Sequence, residues 1–488
     1  MQQPRFPGCL AGLRSRRSGR RRMLLGLAAT VGAGVLLVGG ATPALAHARL
    51  RGSTPAPAST VTGPPAAVRL AFTEVVEPGQ SQVLVTGPEG RAVPGVRTTR
   101  DPLDATVLRA ALPPRLPRGT YAVTWRVLSV DGHPVAASFR FAVGAATGSL
   151  TATSNSGFGP SLLGGTGRAL DDVGLLALVG LLAFPLLVLG VGRRRPPPVP
   201  VPTDAAAAVQ RRLRPLLTIA LLLAVIGNLL LTVDTLAQSR GFPATRVWRH
   251  LPELGSFLDS TRTGQLLALR EAGLLLLGGA LALSYTGSRR PAGRATGAHL
   301  ALGLGLLGTV SLSSHAGTAA ADAVLSMAVD WSHLVAAGVW TGGLLALALA
   351  GLPVARAAAR QDPAAGAEHA AALTARFSDV AQLCMLVVLA TGLYEALVHV
   401  SGLGQLGRTA WGGELVAKLA LWAVVLLVAS ASTASLVPRI SQRAAGATAR
   451  LAACGELASA ARFELAAAAA LIAVAAVLAG TAPPDQLT

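Results

Sequence analysis

The chain has 488 residues, more than one ordinary domain, and is 52% hydrophobic with only 13% charged; that balance excludes a large soluble enzyme and points to a protein lying mostly in lipid. A formal net charge of +19 would suit a nucleic-acid partner, but the arginines fall in the N-terminal leader and in short loops between apolar runs, so no nucleic acid is expected and membrane topology explains the charge better. The three cysteines, Cys9, Cys384 and Cys454, form no C-x-x-C pair, which argues against a disulfide framework or a zinc site.

Residues 1–46 have the parts of a signal peptide: an arginine-rich stretch from Arg14 to Arg22, an apolar run from Leu24 to Val38, and Ala44-Leu45-Ala46, after which peptidases cut. Cleavage there makes His47 the first residue of the mature protein. A terminal histidine offers a cation both its imidazole and its α-amino nitrogen, and the amine titrates near pH ~8, within reach of a Lewis-acidic metal. Period-2 runs follow at Val68-Leu70-Phe72, Val83-Val85, Tyr121-Val123-Trp125-Val127 and Phe139-Phe141-Val143. They predict an all-β, Ig-like or cupredoxin-like Greek-key sandwich over 47–144. Asp131 and His133, two apart on a strand, point to one face. With His47 they supply three nitrogens and a carboxylate, a set that suits Cu(II) better than zinc or iron.

The Gly/Ser/Thr-rich stretch at 145–170 reads as a flexible linker that lets the sandwich move over the membrane. Over 171–482 the sequence predicts an all-α polytopic membrane domain of about eight transmembrane helices, before a tail at 483–488. Its spans are Val173–Val191, Leu216–Leu236, Leu266–Tyr285, Gly297–Ser314, Asp330–Leu352, Phe377–His399, Leu415–Leu436 and Leu465–Ala482. With the sandwich outside the plasma membrane, arginine-rich loops such as Arg193-Arg194-Arg195 and Arg289-Arg290 fall inside, in agreement with the signal peptide.

Ionisable residues in spans are costly and are functional candidates by default. His315 closes the fourth span, while Asp330 and His333 open the fifth on one helical face, with Met327 one turn earlier. Glu395 and His399 are four apart on the sixth span, above Cys384 and Met385. Imidazoles and carboxylates at the mouth with soft sulfur below suit passage from Cu(II) capture to Cu(I) transfer. Plainer readings stand beside these: interfacial histidines, packing Cys and Met, a strand-end Asp131 and His133, and Arg270 with Glu271 as a buried ion pair.

His47-Ala48-Arg49-Leu50, Ser53-Thr54-Pro55-Ala56, Leu70-Ala71-Phe72-Thr73-Glu74 and the run from Gly119 through Asp131-Gly132-His133 to Val135 resemble the periplasmic copper-binding protein CopC. Ser314-His315-Ala316, Asp330-x-x-His333, Trp340-Thr341-Gly342-Gly343, Arg376-Phe377-Ser378 and the helix of Lys418 resemble the membrane protein CopD. The resemblance implies a fused copper protein in which His47, Asp131 and His133 bind Cu(II) and Glu74 is a weak ligand or a neighbour of the site. The absence of methionine from the sandwich removes the Cu(I) site many CopC proteins carry. The chain is therefore expected to be no enzyme but to capture copper outside and import it, with Cu(I) or Cu(II) held transiently in the membrane domain. It has no P-loop and no Asp-Lys-Thr-Gly, so gradient-driven or facilitated passage is expected. Rival readings are sequestration or sensing without transport, a histidine-brace copper redox enzyme, and a haem electron carrier. Copper ion and membrane lipid are the expected partners.

Overall fold

The computed structural model describes residues 50–73, 75–129, 134–150, 161–192, 201–286, 293–314, 323–399, 410–442 and 446–478. The leader expected over 1–46, the candidate ligands His47, Glu74, Asp131, His133 and His315, and the tail at 483–488 lie outside these residues.

Eight strands form the N-terminal domain: β1 (Leu50–Thr54), β2 (Thr60–Val61), β3 (Ala67–Phe72), β4 (Val76–Thr86), β5 (Arg97–Arg100), β6 (Val107–Ala111), β7 (Gly119–Ser129) and β8 (Pro134–Val143). They make two four-stranded sheets in the orders β1-β3-β6-β5 and β2-β8-β7-β4. Alternation puts Tyr121, Val123, Trp125 and Val127 of β7 into a core shared with Val68, Leu70, Phe72, Phe139 and Phe141. Phe72 meets Trp125 edge-on at 5.2 Å, and the enclosed Tyr121 hydroxyl donates to the Pro117 carbonyl at 2.7 Å. The period-2 runs lie in β3, β4, β7 and β8. The strands that the pattern missed are short or carry arginine in place of alternating apolar residues, as in β5.

The helices are α1 (Leu162–Leu187), α2 (Thr203–Arg240), α3 (Leu251–Ser260), α4 (Arg262–Thr286), α5 (Gly293–Ser314), α6 (Ala323–Ala346), α7 (Leu352–Ala359), α8 (Pro363–His399), α9 (Ala410–Ser441) and α10 (Ala447–Leu478), with one π turn at Leu347–Gly351 joining α6 to α7. Seven helices, with α6 and α7 counted as one, are long and apolar enough to cross a membrane, so the chain is a multi-pass membrane protein. The eighth, α10, continues to the last described residue, short of the expected Ala482. Helices outrun the predicted spans because apolar runs mark only the hydrocarbon core; α2 begins at Thr203, and its first turns carry Arg211, Arg212 and Arg214. Helix α1 begins at Leu162, capped by Ser161, whose side chain accepts from the Gly164 amide. The linker expected over 145–170 is therefore already helical in its last residues. Helix α3, in the loop between the second and third spans, was also unforeseen.

Helix α1 is central, with 67% of its apolar window buried. Its small residues allow backbone contact. A Cβ added to Gly180 would lie 2.5 Å from the Gly342 Cα, one added to Gly342 would lie 2.7 Å from the Ala177 carbonyl, and Gly174 abuts Ala220 and Ala224 of α2. At the end of the bundle away from the sandwich, arginines tie helices together through carbonyls. Arg376 donates to Val188 O at 2.8 Å, Arg356 to Cys454 O at 3.1 Å, and Arg450 to Ile440 O at 2.8 Å and Ala367 O at 3.1 Å.

Candidate metal route

Five strand ends meet at one end of the sandwich. Leu50 pairs with Phe72, Val76 pairs with Ser129, and Leu128 pairs with Pro134. The chain continues from these ends to the four candidate ligands: His47 is three residues before Leu50, Glu74 lies between Phe72 and Val76, and Asp131 and His133 lie between Ser129 and Pro134. The register therefore brings the flanks of all four to the same edge.

That end is docked on the membrane domain. Along β7 the outward-facing positions are Ala122, Thr124, Arg126 and Leu128. Leu128 is fully buried in a cluster with Leu236 of α2, Phe257 of α3 and Leu267 of α4. Gly241 ends α2 in the left-handed conformation, φ 78°, with the Arg126 guanidinium where its Cβ would be, so a side chain there would strain the backbone and push that guanidinium aside. Beside this floor His250 stacks on Phe242 at 4.0 Å and its Nδ1 lies 3.2 Å from Glu253 Oε1. That hydrogen bond holds the Glu253 carboxyl below its ordinary range. The sandwich is thus seated on the helices, where a freely roaming domain had been expected.

Beneath the dock runs a buried polar network from several helices. Asp171 Oδ2 of α1 accepts from Arg270 Nη1 of α4 at 2.6 Å, and the two side chains are 2% and 3% exposed. Arg270 Nε donates to Thr309 Oγ1 of α5 at 2.8 Å. Asp171 Oδ1 is enclosed with no hydrogen-bond partner among the described residues. Glu271 accepts from Asn228 Nδ2 of α2 at 2.8 Å, so Arg270 pairs across helices with Asp171 and not with its neighbour Glu271. Nearer the sandwich, Asp234 accepts from Ser161 at 2.5 Å and from Gln238 at 2.6 Å. Asp172 lies within electrostatic range of Asp171, Arg168, Arg270 and Asp330.

His333 Nδ1 lies 2.9 Å from Thr391 Oγ1 of α8. The Thr391 hydroxyl also lies 2.6 Å from Val387 O and 3.3 Å from Val388 O, so it ties the imidazole to the backbone of α8. Cys384 is buried two helical turns below Thr391, about 10 Å along α8, while Met385, one position on, is partly buried against the core. Met327 is half-buried on α6. Glu395 and His399 fall in the last turns of α8, and their side chains lie outside the described ones. Among the described residues no three His, Cys, Asp or Glu side chains form a ready ligand cluster, so Asp330, His333 and Cys384 do not converge as one.

Sequence reasoning missed Leu128 and Asp171. Leu128 was detectable as an apolar residue in the outward phase of β7, and Asp171 was taken for a span boundary because the helix begins nine residues earlier.

The family described as "CopC domain" matches residues 50–144, "Copper resistance protein D-like, N-terminal domain" matches 165–323, and "Copper resistance protein D" matches 371–478. The chain is 25% identical over 389 residues to "Copper transport protein CutJ" of Bacillus subtilis, covering 78% of this chain and 67% of that protein. It is 39% identical over 103 residues to "Protein YobA" of Escherichia coli, covering 21% of this chain and 83% of the relative. Among solved structures, CopC from Methylosinus trichosporium OB3b matches at 30% identity over 22% of this chain and 100% of that chain, with a TM-score of 0.19.

Proposed function

The chain belongs to the CopC–CopD family of copper-resistance proteins, with a CopC domain ahead of a two-part CopD membrane region, and from that premise we propose that it captures Cu(II) outside the cell and passes it inward. His47, through its terminal amine and imidazole, together with Asp131 and His133, holds the ion, and Glu74 stands beside them. The leader-like sequence of residues 1–46 and the distribution of arginines support an extracytoplasmic position for this domain at the plasma membrane.

One observation carries the reading. Leu128, three residues ahead of Asp131, is buried against helices α2, α3 and α4, so the strand that leads to the candidate copper edge is packed on the membrane domain. Directly below lie carboxylates Asp171, Asp172 and Asp330 and the imidazole of His333. Carboxylate and imidazole suit Cu(II). Arg270 neutralises Asp171 while no cation is present, because an unpaired carboxylate there would be costly. A cation arriving at the free Oδ1 competes with that arginine for the same carboxylate. The chain carries out no chemistry on its cargo in this account.

The test is copper accumulation in cells, or in vesicles of defined orientation, making the intact protein or His47→Ala with leader cleavage checked by mass spectrometry. Import is upheld if the intact protein raises internal copper at limiting supply and the variant loses that advantage. Unchanged or lower copper, with Cu(II) binding intact, would favour sequestration or export.

A further inference from the structure

At the end of the bundle opposite the sandwich, a cavity of about 150 Å³ opens between α1, α2, α4 and α5. Its polar lining comprises Gln210, Arg211 and Arg214 of α2, Ser284 of α4, and Thr296 and His299 of α5, and its apolar walls include Leu182, Pro185 and Leu281. There is no carboxylate in the lining, and among the described residues neither arginine is ion-paired. Arg214 lies over the Tyr285 ring with its Cζ 4.7 Å from the centroid, leaving its N–H edge free to donate. Tyr285 Oη is enclosed and has no hydrogen-bond partner among the described residues. Two fixed positive charges and several donors, unanswered by any acidic group, make this site hostile to a metal cation and complementary to an anion.

Its size decides which kind. Sites that enclose a whole small molecule run to roughly 300–1,000 Å³, so this one takes an end group. Both arginines are exposed, and the same helices α2 and α4 present Ile219 at 55% and Leu283 at 75% exposure, apolar surface suited to acyl chains. We propose that the cavity binds the phosphate headgroup of an anionic phospholipid, with the acyl chains lying along α2 and α4. A bound lipid bridges α2 to α4 and α5 at the end of the bundle away from the copper edge, and this holds whether or not the chain carries copper.

The test uses the full chain in nanodiscs of phosphatidylcholine with or without phosphatidylglycerol, read by lipid retained in native mass spectrometry and by thermal unfolding. The intact protein should retain phosphatidylglycerol over phosphatidylcholine and unfold at higher temperature with it. R211Q/R214Q should lower that affinity roughly thirtyfold, at about fivefold for each arginine near the surface. Arg212→Gln, on the neighbouring helix face and outside the cavity, should retain the lipid. Arg214→Lys keeps the charge, and Thr296→Leu fills the cavity without altering charge; retention in the first and loss in the second would support the site even if the double variant folds poorly. Equal loss with Arg212→Gln would reduce the effect to diffuse surface charge and overturn the proposal. No preference for phosphatidylglycerol would overturn it too, as would full displacement by inorganic phosphate, which would make the ligand a free anion.

Discussion

Replacing Leu128 with alanine should release the sandwich from the helices without unfolding either. Leu128 is 0% exposed, and its buried partners Leu236, Phe257 and Leu267, at 0%, 0% and 4%, all belong to the membrane domain. Truncating a buried leucine costs about 2–5 kcal/mol, and the lower figure applies here because an interface can close around the gap more readily than a core. About 2 kcal/mol is roughly a thirtyfold fall in the docking equilibrium. Hydrogen exchange should therefore quicken at α3 and around Phe242, while β3, β7 and β8 stay protected by the Phe72, Trp125 and Phe141 core. Cu(II) binding, followed through quenching of Trp125, the sandwich's single tryptophan, should be unchanged while copper accumulation falls. Unaltered exchange in α3 would refute the docking argument, and loss of protection throughout β7 would show that Leu128 supports the sandwich itself.

Breaking the buried pair from one side, with Asp171→Asn or Arg270→Gln, should destabilise the membrane domain by about 3–5 kcal/mol by stranding the other group; the double variant should recover most of this in thermal unfolding in detergent, whereas simple additivity would mean that the two do not interact. In the sandwich, Asp104 accepts from the Thr106 hydroxyl at 2.7 Å and amide at 2.9 Å, which holds its carboxyl below the ordinary 3.8. A depressed folded value gives stability that is fully present above the unfolded value and lost as pH falls through the folded one. Asp104→Asn should therefore flatten the pH–stability curve of the sandwich by lowering its neutral plateau while leaving the acid end little changed, as followed by chemical denaturation at stepped pH.

Both architectures were legible because each rests on a strong period: the β7 run Tyr121-Val123-Trp125-Val127 alternates without a break, and the spans are almost free of charge. Short strands such as β2 and β5 depend on neighbours far along the chain and leave little local pattern. Helix ends were misjudged for a related reason: Arg211, Arg212 and Arg214 interrupt an apolar run without interrupting a helix. Chemical identity could be read locally for His333, but its partner Thr391 is 58 residues away, and Asp171 meets Arg270 across 99. Pairings of that kind come from the packing of α1, α4, α6 and α8 and have no signature in any short window.

The crossing at Gly180, Gly338 and Gly342 has a consequence for motion. With no side chains between their backbones, α1 and α6 are in direct main-chain contact, and a shift of one is felt first by the other. Asp171 rides on α1 and His333 on α6, and each is fastened to a helix outside that pair: Asp171 to α4 through Arg270, and His333 to α8 through Thr391. These two contacts act as paired latches. Any displacement of the α1–α6 unit relative to α4 and α8 would strain both contacts together.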